Sequence, residues 1–402
     1  MRDGGFSGTR LARMRDTLAW HVGPGGVPGL VAVVARRGEV HVETLGVRAL
    51  GGPPVERDTI FRVSSMTKPV TAVAAMILVE ECRLRLDDPV DRLLPELADR
   101  RVLRSLDAPL DDTVPAHRPI TLRDLLTFRM GFGIVMARPG TYPIQRAADE
   151  LELGQGPPQP SVPPEPDEWI RRLGTLPLIH QPGERWMYNT GSDVLGVLIA
   201  RASGQPFETF LRERVLDPLG MRDTGFSVPA DQLHRLATSY APDPETGSLV
   251  VSDEAVGGAW SRPPAFPSGG GGLVSTADDF LAFGRMMLGK GRYGAERILS
   301  RPSVETMVTD QLTAAQKAGS ALFPGSFDSH GWGFGLSVVT RRTDPAEPVG
   351  RFGWDGGLGT SWCTDPSEEL VTVLLTQRNW TSPNPPDVCR DFWTSAYQAI
   401  DD

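Results

Sequence analysis

Lysine is almost missing from this chain. Among its 41 basic residues only Lys68, Lys290 and Lys317 are lysines, and arginine supplies the rest of the positive charge. Cysteine is as scarce: Cys82, Cys363 and Cys389 are an odd number without metal-like spacing, which argues against a disulfide framework and suits reduced thiols in the cytoplasm. Neither H-E-x-x-H nor C-x-x-C occurs, so no metal and no cofactor is expected. No apolar run is long enough to span a bilayer, and the polar stretch Met1–Trp20, with its four arginines, lacks the apolar core of a signal peptide. A formal charge of −9 with no basic stripe excludes a nucleic-acid binder. What remains is an ordinary globular composition, 40% apolar and 23% charged over 402 residues, enough for one large domain or two to three smaller ones.

The scarcity of lysine gives weight to one of the three. Ser65-Met66-Thr67-Lys68 follows an extended run, Thr59–Val63, and opens a helical one in which Val70, Val73, Ala74, Ile77 and Leu78 recur at helix spacing. A serine at a helix N-terminus lies beside unpaired backbone N–H groups and the positive end of the helix dipole. An amine one turn later shares its face and reaches its oxygen. A serine hydroxyl is a poor nucleophile until a base takes its proton, and a desolvated neutral lysine can be that base. Pro69 sits in the first turn, where its missing N–H costs nothing. The plain alternative is an N-cap serine followed by a solvated lysine.

Residues 28–47 predict a β-hairpin turning at Arg36–Glu39, and the helix after Ser65 is expected to run to about Cys82. Thr121 is the expected N-cap of a helix over Leu122–Leu126. From Gly131 to Pro166 the chain is rich in glycine and proline without a steady period, and is expected to form an irregular wall or lid. Helices are expected over Ser192–Ser203, closed by Gly204, over Pro206–Val215, and from Thr276 through Met287. Strands are expected at Gly333–Thr340, Val349–Trp354, Thr360–Thr364 and Leu370–Arg378, then a helix at Val388–Ile400. Strands near both ends with helices between them predict an α/β (α+β) fold. Residues 1–85 and 265–402 build an antiparallel sheet flanked by terminal helices, and residues 86–264 form a mostly helical inserted domain.

Two further stretches bear chemistry. Trp186-Met187-Tyr188-Asn189-Thr190-Gly191 places one of only five tyrosines in a polar turn before a helix. A phenol near a lysine can act as base or proton shuttle, or it can be a buried structural tyrosine. Trp354-Asp355-Gly356-Gly357 lies at a strand edge, where glycines let a substrate approach the backbone and a free N–H can hold a developing oxyanion. The alternative is a tight hairpin with no chemical role.

In this order the three stretches resemble the serine β-lactamase and penicillin-binding-protein superfamily, marked by S-x-x-K, a tyrosine or serine element and a K-T-G-like element. The resemblance covers most of the chain: Phe61–Ala72, Leu86–Val90, Thr121–Thr127, Gln181–Glu184 with Tyr188–Gly191, Gly269–Ser275 and His330–Gly335 all fit it. Trp354-Asp355-Gly356 stands where K-T-G would be, which is similar to the family VIII carboxylesterases with the class C β-lactamase fold. The lost cation would hold a substrate carboxylate, so its replacement by tryptophan favours a neutral ester. The second element has Asn189 adjacent to the tyrosine rather than two positions on.

The resemblance implies that Ser65 attacks an acyl carbonyl and that Lys68 and Tyr188 share the activating proton network. Which of the two is the formal base stays open. It implies an oxyanion hole from the N–H groups of Ser65 and Gly357, with Trp354, Asp355, Gly356 and Asn189 around the substrate. The expected partner is a small-molecule ester, with β-lactams as a side activity and no nucleic acid or membrane; the oligomeric state is not read. A β-lactamase or D-amino-acid peptidase, an acyltransferase and a catalytically silent binding scaffold are the alternatives. A Ser-His-Asp hydrolase fails on pattern, since no G-x-S-x-G occurs and His180 and His330 have no suitable strand-to-helix context.

Overall fold

The computed structural model describes residues 4–320 and 324–402, so Met1–Asp3 of the N-terminal stretch considered above lie outside the described residues. Helix α1 (Gly8–Trp20) leads into the hairpin β1 (Gly29–Arg36) and β2 (Glu39–Gly46), in register from Gly29 opposite Gly46 to Arg36 opposite Glu39. Helix α2 (Thr67–Glu80) follows the nucleophile candidate. Thr121 caps Leu122–Leu126 with a reciprocal capping box to Asp124. Helices α3 (Pro143–Glu150), α4 (Pro166–Thr175) and α5 (Thr190–Ser203) come next, and Gly204 ends α5 in the left-handed region that favours glycine. The helix expected from Pro206 is a short α segment, Phe207–Leu211, running on into a wider π turn, Arg212–Leu216. Helix α6 (Ala277–Leu288), capped by Thr276, precedes strands β3 (His330–Trp332), β4 (Ser337–Val339), β5 (Phe352–Gly356), β6 (Thr360–Asp365) and β7 (Leu370–Thr376), and α7 (Asp387–Gln398) closes the chain.

The seven strands form one antiparallel sheet in the order β3-β4-β5-β6-β7-β1-β2. The last strand therefore pairs with the first, Leu30 opposite Thr376 through Arg36 opposite Leu370. Every residue of β1 is buried because both faces are covered, which is why it reads as a continuous apolar run. Side-chain alternation divides its residues: Val31, Val33 and Ala35 enter a core shared with α2, α5 and α6, while Leu30, Ala32 and Val34 pack under α1 and α7. The first core continues without a break into the helical region through Leu125, Trp169, Leu195 and Leu198. Among the described residues, no helix is long and apolar enough to cross a membrane.

Two expectations are corrected. The stretch Gly131–Pro166 is not irregular throughout, because α3 lies within it. Pro143 starts that helix and Gln145 caps it, but eight residues are too few for a period to stand out. The strand expected at Gly333–Thr340 is only β4, Ser337–Val339; the first residues of that range form the turn that joins it to β3, with Gly335 at φ +71°.

Candidate active site

Ser65 stands in a tight turn, Ser64–Met66, that feeds α2. The turn is forced by Ser64, a non-glycine residue held at φ +46°, a conformation that costs energy unless its surroundings impose it. They do impose it. Thr67 Oγ1 donates to the Ser64 carbonyl at 2.6 Å and accepts from Leu273 N–H at 3.1 Å, and Val63 N–H donates to Leu273 O at 3.0 Å. From the other side β5 closes on the same point: a Cβ at Gly356 would come within 2.3 Å of Val63 O and 2.2 Å of Thr360 Oγ1. Gly356 thus serves close packing of the sheet against the nucleophile segment.

Lys68 lies one turn along α2, with 0% of its surface exposed. Its Nζ is 2.9 Å from Ser65 Oγ and donates to Gly270 O at 2.5 Å. Burial disfavours the ammonium and brings the pKa from 10.5 to about 7, although the nearby Asp193 carboxylate pulls it back up. A neutral amine is therefore within reach near neutral pH, with a lone pair available for the Ser65 proton. The glycine run makes this geometry possible: a Cβ on Gly269 would stand 2.3 Å from Ser192 O, so only glycine lets this loop lie against α5.

Tyr188 faces the same point from the loop before α5. Its phenol accepts a 2.7 Å hydrogen bond from Trp354 Nε1–H, and Lys68 Nζ sits 4.5 Å from its ring centroid. Burial raises the phenol's pKa, hydrogen bonds from Ser65 and Trp354 pull it back, and Asp355 adds to the rise. The phenol thus keeps its proton in the resting site. Trp186 stacks on it at 5.6 Å, and Phe128, Trp332 and Trp354 hold its flanks at 5.7–6.4 Å. The next residue, Asn189, is strained at φ +86°, ψ −69°, a γ-turn geometry that aims the tyrosine away from the helix it precedes. Asn189 Nδ2 makes a long 3.4 Å bond to Asp193, so its amide is directed into α5.

The third stretch divides between the two faces of the sheet. Trp354 pairs across β6 with Trp362 and Asp355 with Ser361, and alternation sends these neighbours to opposite sides. Trp354 enters the aromatic cluster around Tyr188. Asp355 meets Ser361 and the charge of Arg351 on the side covered by α7, where burial pushes its carboxyl up to about 6. Asp355 therefore reaches the wall of the cavity described below from the other face of β5, apart from Trp354 and Tyr188. Gly357, just past β5, is exposed on the cavity wall, and its carbonyl is tied by Trp380 N–H at 2.8 Å. Gly357 and Ser65, which stands in the turn ahead of α2, line the same cavity.

Ser65, Tyr188, Trp354 and Gly357 open on a cavity of about 1370 Å³. Ile134, Met136, Leu153 and Pro158 line it, so the Gly131–Pro166 segment forms a wall. Three participants escaped sequence reasoning: Asp193, Ser268 and Gly270, which join Lys68 in one buried hydrogen-bonded network. The one available signal was Asp193 standing a helical turn beyond Asn189.

Comparison with known proteins places this arrangement in context. The family model described as Beta-lactamase matches residues 14–389. Protein Rv1367c of Mycobacterium tuberculosis (strain ATCC 25618 / H37Rv) is 44% identical over 359 residues, 87% of this chain and 85% of that protein. Esterase EstB of Burkholderia gladioli is 34% identical over 375 residues, again 87% and 85%. Among solved structures, EstCE1, a hydrolase with promiscuous acyltransferase activity, superposes with a TM-score of 0.79 at 26% identity, covering 97% of this chain and 99% of that one.

Proposed function

The chain belongs to the beta-lactamase family, and from that premise we propose that it is a serine carboxylesterase working through an acyl-enzyme on Ser65. The observation that carries this reading is the Trp354–Tyr188 hydrogen bond. An indole occupies the place where a cation would hold a substrate carboxylate, and it spends its only polar hydrogen on the phenol. A neutral ester is then the favoured substrate, with β-lactams turned over as a side activity. EstB, whose name gives it as an esterase, supports the same reaction class.

The chemistry follows from the protonation states. The Ser65 proton passes to the lone pair of Lys68 as Oγ bonds to the acyl carbon, and the carbonyl electron pair moves onto oxygen. The N–H groups of Ser65 and Gly357 hold that charge, an effect of about 3–4 kcal/mol for one such donor. Tyr188, still protonated, gives its proton to the departing alkoxide, and the Lys68 ammonium restores the phenol. Water then gives up a proton to the regenerated base and attacks the acyl-enzyme, releasing the acid and Ser65.

Acyl transfer is the second reading, favoured by the cavity: about 1370 Å³ exceeds the roughly 300–1000 Å³ of common ligand sites and can hold an acyl group beside an acceptor alcohol. The name of EstCE1 combines both activities. A cytoplasmic reaction with neither nucleic acid nor membrane as partner belongs to the same proposal, and the three unpaired thiols support a reducing compartment. The test is hydrolysis of p-nitrophenyl acetate, butyrate and octanoate beside nitrocefin, with the native protein and Ser65→Ala. Ser65-dependent ester turnover with little nitrocefin cleavage is expected. Nitrocefin as the better substrate would reject the esterase reading.

A further inference from the structure

We propose that Asp193 is a positioning residue for Lys68, acting through the peptide plane that joins Gly270 to Gly271; the proposal rests on Lys68 being the base for Ser65. Lys68 Nζ donates to the Gly270 carbonyl at 2.5 Å. The N–H of the same amide plane, that of Gly271, donates to Ser268 Oγ at 3.0 Å. The Ser268 hydroxyl in turn donates to Asp193 Oδ1 at 2.6 Å. The same carboxylate oxygen accepts Gly270 N–H at 3.0 Å, which anchors the residue on its other side. All donors point one way, from amine to carboxylate, so each bond polarises the next.

A neutral amine has two hydrogens and one lone pair. Fixing one hydrogen on Gly270 O restricts where the lone pair points, and Ser65 Oγ is 2.9 Å away. When Lys68 takes the Ser65 proton, a positive charge forms on a nitrogen that is out of reach of solvent. The aligned peptide dipole and the Asp193 charge are already oriented to receive it. Asp193 itself passes no proton. It is the orienting third group that an activated nucleophile and its base require, here placed behind a peptide bond. A catalytic demand also accounts for a carboxylate kept 5% exposed at the start of α5, where burial alone raises its pKa.

The groups around Lys68 make the effect assignable. Asp193 faces it from α5 and Tyr188 from the preceding loop; the first turn of α2 holds no acidic residue. Asp355, on the far face of β5, acts on Tyr188.

The test is the rate at which a fluorophosphonate probe labels Ser65, followed over about pH 5 to 9. This readout requires no ester substrate. In the native protein the rate should rise through about pH 7 as Lys68 loses its proton. Asp193→Asn removes the charge that supports the ammonium, so the rise should move about one pH unit lower and the plateau fall roughly tenfold. Ser268→Ala keeps the charge and breaks the bridge: labelling should slow several-fold with little movement of the rise, and Ser268→Thr should restore it. An unmoved rise in Asp193→Asn would overturn the proposal. Should Asp193→Asn fail to fold, the Ser268 pair decides, and an alanine variant as fast as the threonine variant would overturn it. A native protein that labels at Ser65 yet leaves esters intact loses only its esterase assignment. One that does not label at all loses the Ser65–Lys68 base pair, and this proposal with it.

Discussion

Replacing Lys68 by methionine should abolish turnover and, at neutral pH, make the protein more stable. The unfolded chain holds this amine at its ordinary 10.5, whereas the fold holds it at about 7. Between those values the unfolded chain binds more protons than the native one, so unfolding free energy rises with pH across the window. Burying the amine costs about 4 kcal/mol at pH 7 and about 2 kcal/mol at about pH 9. Methionine fills the same apolar space without that penalty, but leaves the Gly270 carbonyl unbonded, a loss of about 1–3 kcal/mol. The variant should therefore be about 1–3 kcal/mol more stable at pH 7 and close to the native protein at about pH 9. Urea unfolding of both proteins at the two pH values measures this directly. The gap between them should close by about 2 kcal/mol, and contributions from titrating groups that Lys68 does not touch cancel in that comparison, leaving Asp193 as the coupled group. A gap of constant size would show that Lys68 is not a desolvated amine, and the argument for its role as base would fall.

Three further outcomes are expected. The acid side of the kcat/KM profile should have a midpoint near pH 7, set by Lys68, and activity should be lost as the amine becomes charged below it; a midpoint in the carboxylate range would assign the base elsewhere. Trp354→Phe keeps a ring against Tyr188 but removes the 2.7 Å indole donor, so kcat should fall roughly tenfold with KM less affected, and an unchanged kcat would show that the donor does not serve the chemistry. Of the three thiols, exposed Cys82 should react first with an aromatic disulfide reagent, since burial raises the pKa of Cys363 to about 11 and lifts that of Cys389 well above the ordinary thiol value; a native protein that titrates two or three thiols at one rate would contradict this.

Local rules made much of this molecule readable from sequence. The β1–β2 hairpin, the helix behind Ser65, the Thr121 and Thr276 caps and the left-handed Gly204 each follow from residues within a few positions of one another. The nucleophile and its amine share a helical face for the same reason. Tyr188 could be suspected from its motif, but its protonation could not: a phenol near a lysine suggests easy loss of a proton, whereas the aromatic cage and burial act the other way. Asp355 could be told apart from Trp354 in advance, because a strand sends adjacent residues to opposite faces and Trp354 takes the side of Tyr188. Asp193 and Ser268 were out of reach, since the Asp193–Gly270 contact joins segments 77 residues apart.

The pairing of β1 with β7 carries a consequence for how the protein is made. On the ribosome the N-terminal hairpin emerges early, but one edge of β1 has no neighbour until Leu370–Thr376 is translated. At ordinary elongation rates that wait is on the order of tens of seconds. During it an apolar strand, Gly29–Arg36, presents open hydrogen-bonding groups of the kind that recruit strands from other chains. Synthesis of the last strand thus ends a period of exposure as well as completing the sheet. The segments outside α1 and α7 meet where Asp401 N–H bonds to Gly5 O, so a circular permutant of this chain joined there and opened at an exposed loop before β3 would bring β7 and β1 out consecutively. Its yield against that of the natural order would show how much of the product is lost while the edge stands open.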